Sequence, residues 1–247
     1  MAEAPRVTFV IAGAQKGGTT ALFDYLTAMA DVAVSNLKET HFFDDETLDW
    51  GRPDYARYHA HFPDPHGRPC GEATPIYLYW PNALERIAAY NPAMKVVLVL
   101  RDPVARAWSH WRMEYARGAE RNPFAWCVRQ GRMRLFEAEP WGFHREFSYV
   151  ERGYYGEQVA RLLALFPRDQ VLVLRSETLR RDPAAVLGQV REFLGLAPGA
   201  PPPPRESHVG QEMDYGSELT PEDVELLRGL YARDQQRLLE LTGLVFP

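Results

Sequence analysis

The fold of this chain is decided by the stretch Val7-Thr8-Phe9-Val10-Ile11-Ala12-Gly13-Ala14-Gln15-Lys16-Gly17-Gly18-Thr19-Thr20-Ala21-Leu22. Its first six residues form an apolar, β-branched run, which is typical of a strand buried on both faces. Gly13 ends this run, and the hydroxyls of Thr19 and Thr20 predict a cap for the helix that follows. This order of strand, glycine loop and helix favours an α/β fold.

The loop between this strand and this helix is suited to binding an anion. Glycines let the backbone approach a phosphate closely, and the first amides of a helix have no partner inside the helix. Lys16 adds a positive charge. The loop differs from the nucleotide triphosphate pattern G-x-x-x-x-G-K-[ST], because counting from Gly13 puts Thr19 where the lysine belongs. A glycine turn with a solvated lysine is the alternative interpretation.

The composition is that of an ordinary globular protein. The chain has 247 residues, of which 46% are hydrophobic and 25% charged, and we predict one domain over residues 1–247. Its net charge of -5 argues against a basic nucleic-acid-binding surface. Cys70 and Cys127 are too few for a disulfide framework and lack metal-ligand spacing. Without a signal segment or a run of membrane-spanning length, we expect a cytoplasmic protein with no membrane partner.

Two titratable residues, Glu39 and His41, follow the next predicted strand, residues 31–34. Ligands gather at the carboxyl ends of strands in an open parallel sheet, so both residues are candidate acid/base groups. The alternative is a loop with solvated charge and a core-facing pair, Phe42 and Phe43. For His41 alone this alternative is favoured.

The clearest buried strand, Lys95–Leu100, leads directly into a second candidate anion site. Asp102 and Pro103 predict a helix start, as cap and first helical residue. Arg101 at the strand end and Ser109 two turns into the helix would then hold one phosphate from two sides, with Arg101 offering paired donors. An ion pair between Arg101 and a neighbour such as Asp102 is the alternative.

The remaining segments complete an α/β pattern. Residues 71–77 predict a short strand end and turn, because Pro75 cannot donate to a central ladder. An apolar run predicts a further strand at 171–174. Periodicity and capping residues predict helices at 21–29, 81–91 with Pro81 in the first turn, 123–135, 154–166, 182–194 closed by Gly195, and from Thr220 to about residue 241. The aromatic segment 122–150 is interpreted as an acceptor pocket or as a lid packed for stability. Residues 197–204 predict a stiff extended linker, followed by the polar segment 205–212.

Four motifs in this order resemble those of sulfotransferases that use 3′-phosphoadenosine 5′-phosphosulfate (PAPS), in particular the heparan sulfate branch and its bacterial relatives. The motifs are the glycine loop, Lys38-Glu39-Thr40-His41-Phe42-Phe43, Glu72-Ala73-Thr74-Pro75-Ile76-Tyr77, and the segment from Arg101 to Ser109. The resemblance runs over residues 7–244. It implies a three-layer α/β sandwich with a central, mostly parallel sheet, a P-loop-like phosphosulfate-binding loop, PAPS as co-substrate with 3′,5′-adenosine bisphosphate (PAP) as product, and no metal.

The resemblance also implies roles for individual residues. The 5′-phosphosulfate loop matches Gln15, Lys16, Gly17, Gly18, Thr19 and Thr20, and the 3′-phosphate pair matches Arg101 and Ser109. Glu39 matches the carboxylate that serves as general base in the heparan branch, and His41 is the second candidate. Ala73 stands where the heparan enzymes carry the lysine of Glu-Lys-Thr-Pro. We therefore expect a small-molecule, natural-product or carbohydrate acceptor, as in bacterial secondary metabolism, in place of a heparan-like polyanion.

Two other functions stay open at this point. A small-molecule kinase would also place a glycine loop at a strand end, but its lysine spacing is absent and Arg101 stands where a Mg²⁺-binding acid would follow the strand. A catalytically silent protein of the same fold would bind PAP and release no sulfated product.

Overall fold

The computed structural model of the chain describes residues 6–138, 144–200, 202–203 and 213–247. The strands are β1 Phe9–Gly13, β2 Ala33–Val34, β3 Cys70–Ala73, β4 Lys95–Leu100 and β5 Val171–Arg175. The α-helices in the described ranges are α1 Thr19–Thr27, α2 Tyr55–His59, α3 Ala83–Tyr90, α4 Pro103–Ala116, α5 Phe124–Cys127, α6 Tyr155–Leu165, α7 Ser176–Arg181, α8 Pro183–Leu194 and α9 Pro221–Thr242. Short 3₁₀ helices cover Gln130–Glu137, Glu151–Gly153 and Arg168–Gln170. The predicted polar segment 205–212 lies outside the described residues.

The five strands form one sheet in the order β2-β3-β1-β4-β5. All four pairings are parallel, so the carboxyl ends of all the strands lie at one edge. The chain starts in the middle of the sheet at β1, adds β2 and β3 on one side and then β4 and β5 on the other. The loop after β1 therefore leaves the sheet where the strand order reverses, the place where open α/β sheets bind ligands.

The chain divides into two compact units, and the first comprises residues 1–100 and 162–207. Phe9, Ile11, Val97 and Val99 point to one face of its sheet, where they pack with the apolar sides of α1 and α8. The alternate residues of β1 and β4 are also fully buried, as expected for a sheet covered on both faces. The predicted α/β sandwich with a parallel central sheet is confirmed.

The second unit comprises residues 101–161 and 208–247. Its core is aromatic, with Trp111, Phe124, Tyr149 and Tyr231 buried together between α4, α5 and α9. A buried carboxylate, Glu120, accepts hydrogen bonds from side chains around this core, including the Tyr149 hydroxyl at 3.0 Å. Part of the predicted aromatic segment, including Phe124 and Tyr149, is therefore buried in this core, and its residues 139–143 lie outside the described part of the chain.

Three predicted helix boundaries are confirmed. At each of them the predicted capping residue is the one that caps the helix in the structure. The Asp102 carboxylate accepts from the Ala105 amide at 2.7 Å, and Pro103 is the first residue of α4. Gly195 closes α8 in the left-handed conformation with φ 79°. Thr220 and Asp223 form a capping box at the start of α9.

Three predictions about helix starts and lengths are wrong. Gly18 is the N-cap of α1, which begins at Thr19, so the hydroxyls of Thr19 and Thr20 lie inside the helix and do not cap it. α3 begins at Ala83, after Asn82 in the left-handed region, and Pro81 precedes it. The single helix predicted over residues 123–135 is instead α5 followed by the 3₁₀ helix Gln130–Glu137.

Candidate active site

The glycine loop after β1 is held tightly against the neighbouring strand. A Cβ added to Gly17 would lie 2.1 Å from the carbonyl oxygen of Val99 in β4, so only glycine fits there. Gly18 has φ 104°, a conformation that glycine adopts without strain. The sequence places both glycines where backbone geometry requires them, and the alternative of an ordinary glycine turn does not account for the close approach at Gly17.

The N-terminus of α1 opens directly from this loop. Its N-cap, Gly18, has no side chain, and its first turn contains no acidic residue. The dipole and the first amides of α1 are therefore not compensated by a capping side chain or by a carboxylate of their own turn. Together with Lys16 in the loop, this arrangement suits an anionic group.

The second candidate segment, Lys38 to Asp44, contains a row of alternating charges. The Lys38 Nζ lies 2.6 Å from Glu39 Oε1, and His41 Nε2 lies 3.5 Å from Glu39 Oε2. On its other side the His41 ring approaches the Asp44 carboxylate, with Nδ1 2.9 Å from Oδ2. Asp44 is fully buried, whereas Glu39 and His41 remain partly exposed. The two candidate acid/base residues are therefore in direct contact.

This row of charges controls the pKa values of both candidates. Hydrogen bonds to Asp44 and then to Glu39 raise the pKa of His41 from 6.5 to about 9, against the opposing effect of burial. Burial acts to raise the pKa of Glu39, but hydrogen bonds and charges from His41 and Lys38 outweigh it and lower the pKa from 4.5 to about 2. At neutral pH Glu39 is a carboxylate and His41 an imidazolium.

Phe42 and Phe43, the aromatic pair after His41, face the core. They are 5% and 0% exposed, and both rings pack against Tyr58. Burial is the largest single influence on the Glu39 pKa and acts to raise it, but the hydrogen bonds and charges of His41 and Lys38 together outweigh it and set the net direction.

The first two candidate segments are joined through the end of β3. The Glu39 amide donates to the Ala73 carbonyl at 3.0 Å, and the Thr74 amide donates to the Ile11 carbonyl of β1 at 3.2 Å. The segment after β3 therefore lies between the end of β1, which leads into the Lys16 loop, and the Glu39 segment. All three lie at the carboxyl edge of the sheet.

The backbone at the predicted catalytic residues is unusual. In the described ranges, five non-glycine residues have a positive φ, and three of them are Lys16 at 66°, Glu39 at 64° and His41 at 52°. The other two are His66 and Asn82. Non-glycine residues rarely adopt this left-handed backbone conformation, and those that do are concentrated at functional sites.

Arg101 and Ser109, the predicted 3′-phosphate residues, belong to the second unit. Arg101 directly follows β4, and its carbonyl accepts a hydrogen bond from the Tyr155 hydroxyl at 3.0 Å. Ser109 lies in the second turn of α4 and is half-buried. Their binding of a phosphate stays a prediction.

Sequence reasoning missed the partners that hold the Glu39 segment in place. Asp44 is a partner of the His41 ring, and the available signal was an acid three residues after a histidine. Glu72, in the third motif, is fully buried, and no local pattern in the sequence indicates its partners.

Within the residues that the structure describes, no helix combines the length and the apolar character needed to cross a membrane. In the same ranges no group of three His, Cys, Asp or Glu side chains is arranged to hold a metal ion. Cys70 and Cys127 are both buried free thiols.

The fold and this site together define a class of protein. The model of the sulfotransferase domain family matches residues 7–207, so the chain belongs to the sulfotransferase family, a family of enzymes that use PAPS.

Individual relatives agree with this assignment. The chain is 33% identical to human heparan sulfate glucosamine 3-O-sulfotransferase 3B1 over 190 residues, which cover 76% of this chain and 45% of that protein. It is 30% identical over 202 residues to mouse bifunctional heparan sulfate N-deacetylase/N-sulfotransferase 4, covering 77% of this chain and 22% of that protein. The chain thus spans less than half the length of these curated relatives.

Among solved structures, a sulfotransferase from Alicyclobacillus acidocaldarius superposes with a TM-score of 0.80 at 28% identity. The match covers 98% of this chain and 97% of that one. The similarity therefore extends over nearly the whole length of both chains.

Proposed function

We propose that this chain transfers a sulfuryl group from PAPS to a hydroxyl of an acceptor by in-line displacement, and that residues 1–247 act as a single sulfotransferase domain. Membership of the sulfotransferase family supports the reaction. The matched residues 7–207 draw on both compact units, which supports the single-domain assignment.

The residues of the first unit fit the 5′ end of such a donor. Gly17 is packed where any Cβ would collide with the β4 backbone, Gly18 starts α1 without a capping side chain, and Lys16 supplies a full positive charge. PAPS, when bound, supplies the sulfuryl group and leaves as PAP. The amides of Gly18, Thr19 and Thr20 are assigned to its 5′-phosphate, with Gln15 beside them in the loop.

Lys16 is assigned to stabilise negative charge on the leaving oxygen. In transfers of this kind most of the catalysis comes from positioning and from charge stabilisation. Arg101 and Ser109 are assigned to the 3′-phosphate, where the paired donors of Arg101 suit its oxygens.

Glu39 is assigned as the group that takes the proton from the acceptor hydroxyl. The observation that carries this assignment is the charge row from Lys38 to Asp44, which keeps Glu39 ionised and His41 protonated at neutral pH. A protonated imidazolium has no free lone pair to accept a proton. His41, the second candidate, is better suited to hold the carboxylate in place.

For the acceptor we propose a small-molecule, natural-product or carbohydrate hydroxyl. The relatives named above act on heparan sulfate, as their names state. In this chain Ala73 is fully buried in the apolar core of the first unit and offers no cation to a polyanion. In the second unit Trp126 and Phe136 expose apolar surface, at 37% and 83%, which supports an apolar or aromatic acceptor.

The proposal is tested by titrating the purified chain with PAPS, PAP and ATP in a calorimeter and by screening phenols, alcohols and saccharides with ³⁵S-labelled PAPS. We expect PAPS and PAP to bind in preference to ATP, and the label to be transferred to at least one acceptor class. Binding of ATP in preference to PAP would favour a kinase. PAP binding with no labelled product from any acceptor class would favour a silent protein.

Variants separate the assigned roles. Lys16→Ala and Arg101→Ala are expected to weaken PAP binding, whereas Glu39→Gln is expected to keep PAP binding and lose transfer. Arg233→Ala removes a charge from an exposed position of α9 and serves as the matched control for Arg101→Ala. Full turnover by Glu39→Gln would move the base to another group, with His41 the next candidate.

A further inference from the structure

Glu72 in β3 is a fully buried carboxyl group that the proposed reaction does not use. Both of its oxygens accept two hydrogen bonds each. Oε1 accepts from the hydroxyls of Tyr58 at 2.9 Å and Tyr77 at 3.0 Å, and Oε2 accepts from those of Thr40 at 2.8 Å and Thr74 at 2.6 Å. Four donors saturate the acceptor capacity of one carboxylate.

A buried carboxyl group in a strand is costly, so its retention needs an explanation. Burial raises the pKa of Glu72 above its ordinary value, against the four hydroxyl donations that lower it. A residue that served stability alone would be replaced at less cost by an apolar side chain.

One of the four donors differs from the others in its place in the chain. Thr40 lies between Glu39 and His41, the two residues with φ 64° and 52°. Its hydroxyl lies 3.1 Å from that of Tyr77 as well as 2.8 Å from Glu72. Tyr77 also accepts a long hydrogen bond from the Phe43 amide, at 3.4 Å.

We infer that Glu72 is a positioning residue for sulfuryl transfer, which acts through the Thr40 hydroxyl to hold Glu39 and His41 in their left-handed backbone conformation and so in contact with each other. Thr40 is the midpoint of the strained segment, and the hydrogen bond to Glu72 anchors this midpoint to the sheet. The inference rests on the proposed function, because it assigns a role toward the same reaction.

The variants isolate the anchor from the rest of the cluster. Thr40→Val keeps the shape of the side chain and removes its hydroxyl, and Thr40→Ser restores the hydroxyl. Tyr58→Phe is the matched control, since it removes a hydrogen bond from the same carboxyl group without touching the segment Glu39 to His41. Glu72→Gln keeps the size of the side chain but turns one acceptor oxygen into a donor, which the surrounding hydroxyls must reorient to meet.

We expect Thr40→Val and Glu72→Gln to lower kcat by about tenfold to a hundredfold, because displacement of a catalytic group by about 1 Å has effects of this size. The KM for PAPS is expected to change less than about twofold. Thr40→Ser should recover most of the activity, and Tyr58→Phe should lower thermal stability and leave kcat within about threefold of the wild type. Wild-type kcat in Thr40→Val, or an equal loss in Tyr58→Phe, would overturn the inference.

A second measurement does not depend on turnover. The pKa of His41, about 9 with Glu39 and Asp44 in contact, is read by NMR titration of the ring protons in the nucleotide-free protein. In Thr40→Val it is expected to fall toward 6.5, and in Tyr58→Phe it should stay. If the wild type transfers no sulfuryl group, the proposed function fails, yet this titration still decides whether the anchor orders the segment. An unchanged His41 pKa in Thr40→Val means that it does not.

Discussion

Removal of the Asp44 charge tests whether this carboxylate keeps His41 protonated. In the folded chain the Asp44 carboxylate is fully buried and lies 2.9 Å from His41 Nδ1, and it is the largest cause of the rise in the His41 pKa to about 9. At pH 8 a histidine with this pKa is about nine-tenths protonated, whereas at its ordinary pKa of 6.5 only about 3% carries the charge. Asp44→Asn keeps an acceptor for Nδ1 and removes the charge.

Solvent reduces the expected shift of the His41 pKa. His41 is 47% exposed, so water screens part of the interaction, and we expect the measured wild-type pKa to lie above 6.5 and no higher than about 9. In Asp44→Asn it should be lower by at least about 1, with Glu39 still in contact. NMR titration of the His41 ring protons gives both values. Asp49→Asn is the control, because it removes an exposed charge from the same loop.

Activity in the same variant distinguishes the two candidate bases. If Glu39 takes the proton while protonated His41 orients it, Asp44→Asn lowers kcat at pH 8, because the imidazolium is largely lost. If neutral His41 were the base, the same change would raise kcat. An ordinary pKa of about 6.5 for His41 in the wild type, or identical values in the wild type and Asp44→Asn, would refute the reasoning.

The sign of the stability effect follows from the same pKa. Because the folded-state pKa of His41 is raised, its pairing stabilises the fold fully below about pH 6.5, and this contribution is lost as the pH rises through about 9. Urea unfolding at pH 6 and pH 9.5 should therefore show a larger loss of stability in the wild type than in Asp44→Asn.

Three further predictions concern stability and reactivity. Gly17→Ala forces a Cβ to within 2.1 Å of the Val99 carbonyl oxygen, so it should destabilise the fold by about 1–3 kcal/mol or more and abolish PAP binding. Gly188→Ala in α8 is the control: its Cβ would meet nothing within 4 Å, and it should stabilise the fold by up to about 1 kcal/mol. Urea unfolding measures both, and equal effects would contradict the close-packing argument. Thr220→Ala should cost about 1 kcal/mol in the same assay through loss of the α9 capping box, and an unchanged midpoint would argue against it. The buried thiols, whose pKa values burial raises to about 11 and 12, should resist a disulfide reagent at pH 8 until urea unfolds the chain; rapid labelling of the native protein would show them to be accessible.

Local signals in the sequence were enough for much of the fold. Lys95–Leu100 is a strand with the predicted bounds, because a short unbroken apolar run that ends at a helix cap such as Asp102 strongly predicts a buried strand. Prediction failed where the backbone conformation of a single residue sets a boundary. Pro81 is a good first residue for a helix, yet α3 starts two residues later because Asn82 adopts φ 61°.

In the candidate site, too, some features could be predicted from the sequence and others could not. Lys16, Glu39 and His41 are recognisable from motifs, and the structure places their segments at one edge of the sheet. The protonation of Glu39 and His41 cannot be read from those motifs, because it depends on the buried carboxylate of Asp44 and on the contact between Glu39 and His41. The role inferred for Glu72 depends on a hydrogen bond to a residue 32 positions away, and no local pattern indicates such a pairing.

The contact between the charges of Glu39 and His41 depends on the backbone conformation of their segment. Two left-handed residues within three positions cost on the order of 1–2 kcal/mol each, and a solvated loop would relax into a cheaper conformation. This segment is held instead by the Glu39 amide on the Ala73 carbonyl and by Thr40 on Glu72. Because these hydrogen bonds come from the end of a buried strand, the fold itself holds Glu39 and His41 in contact. The buried carboxyl group of Glu72 is therefore better understood as part of the preorganisation of the site than as a contribution to the stability of the sheet.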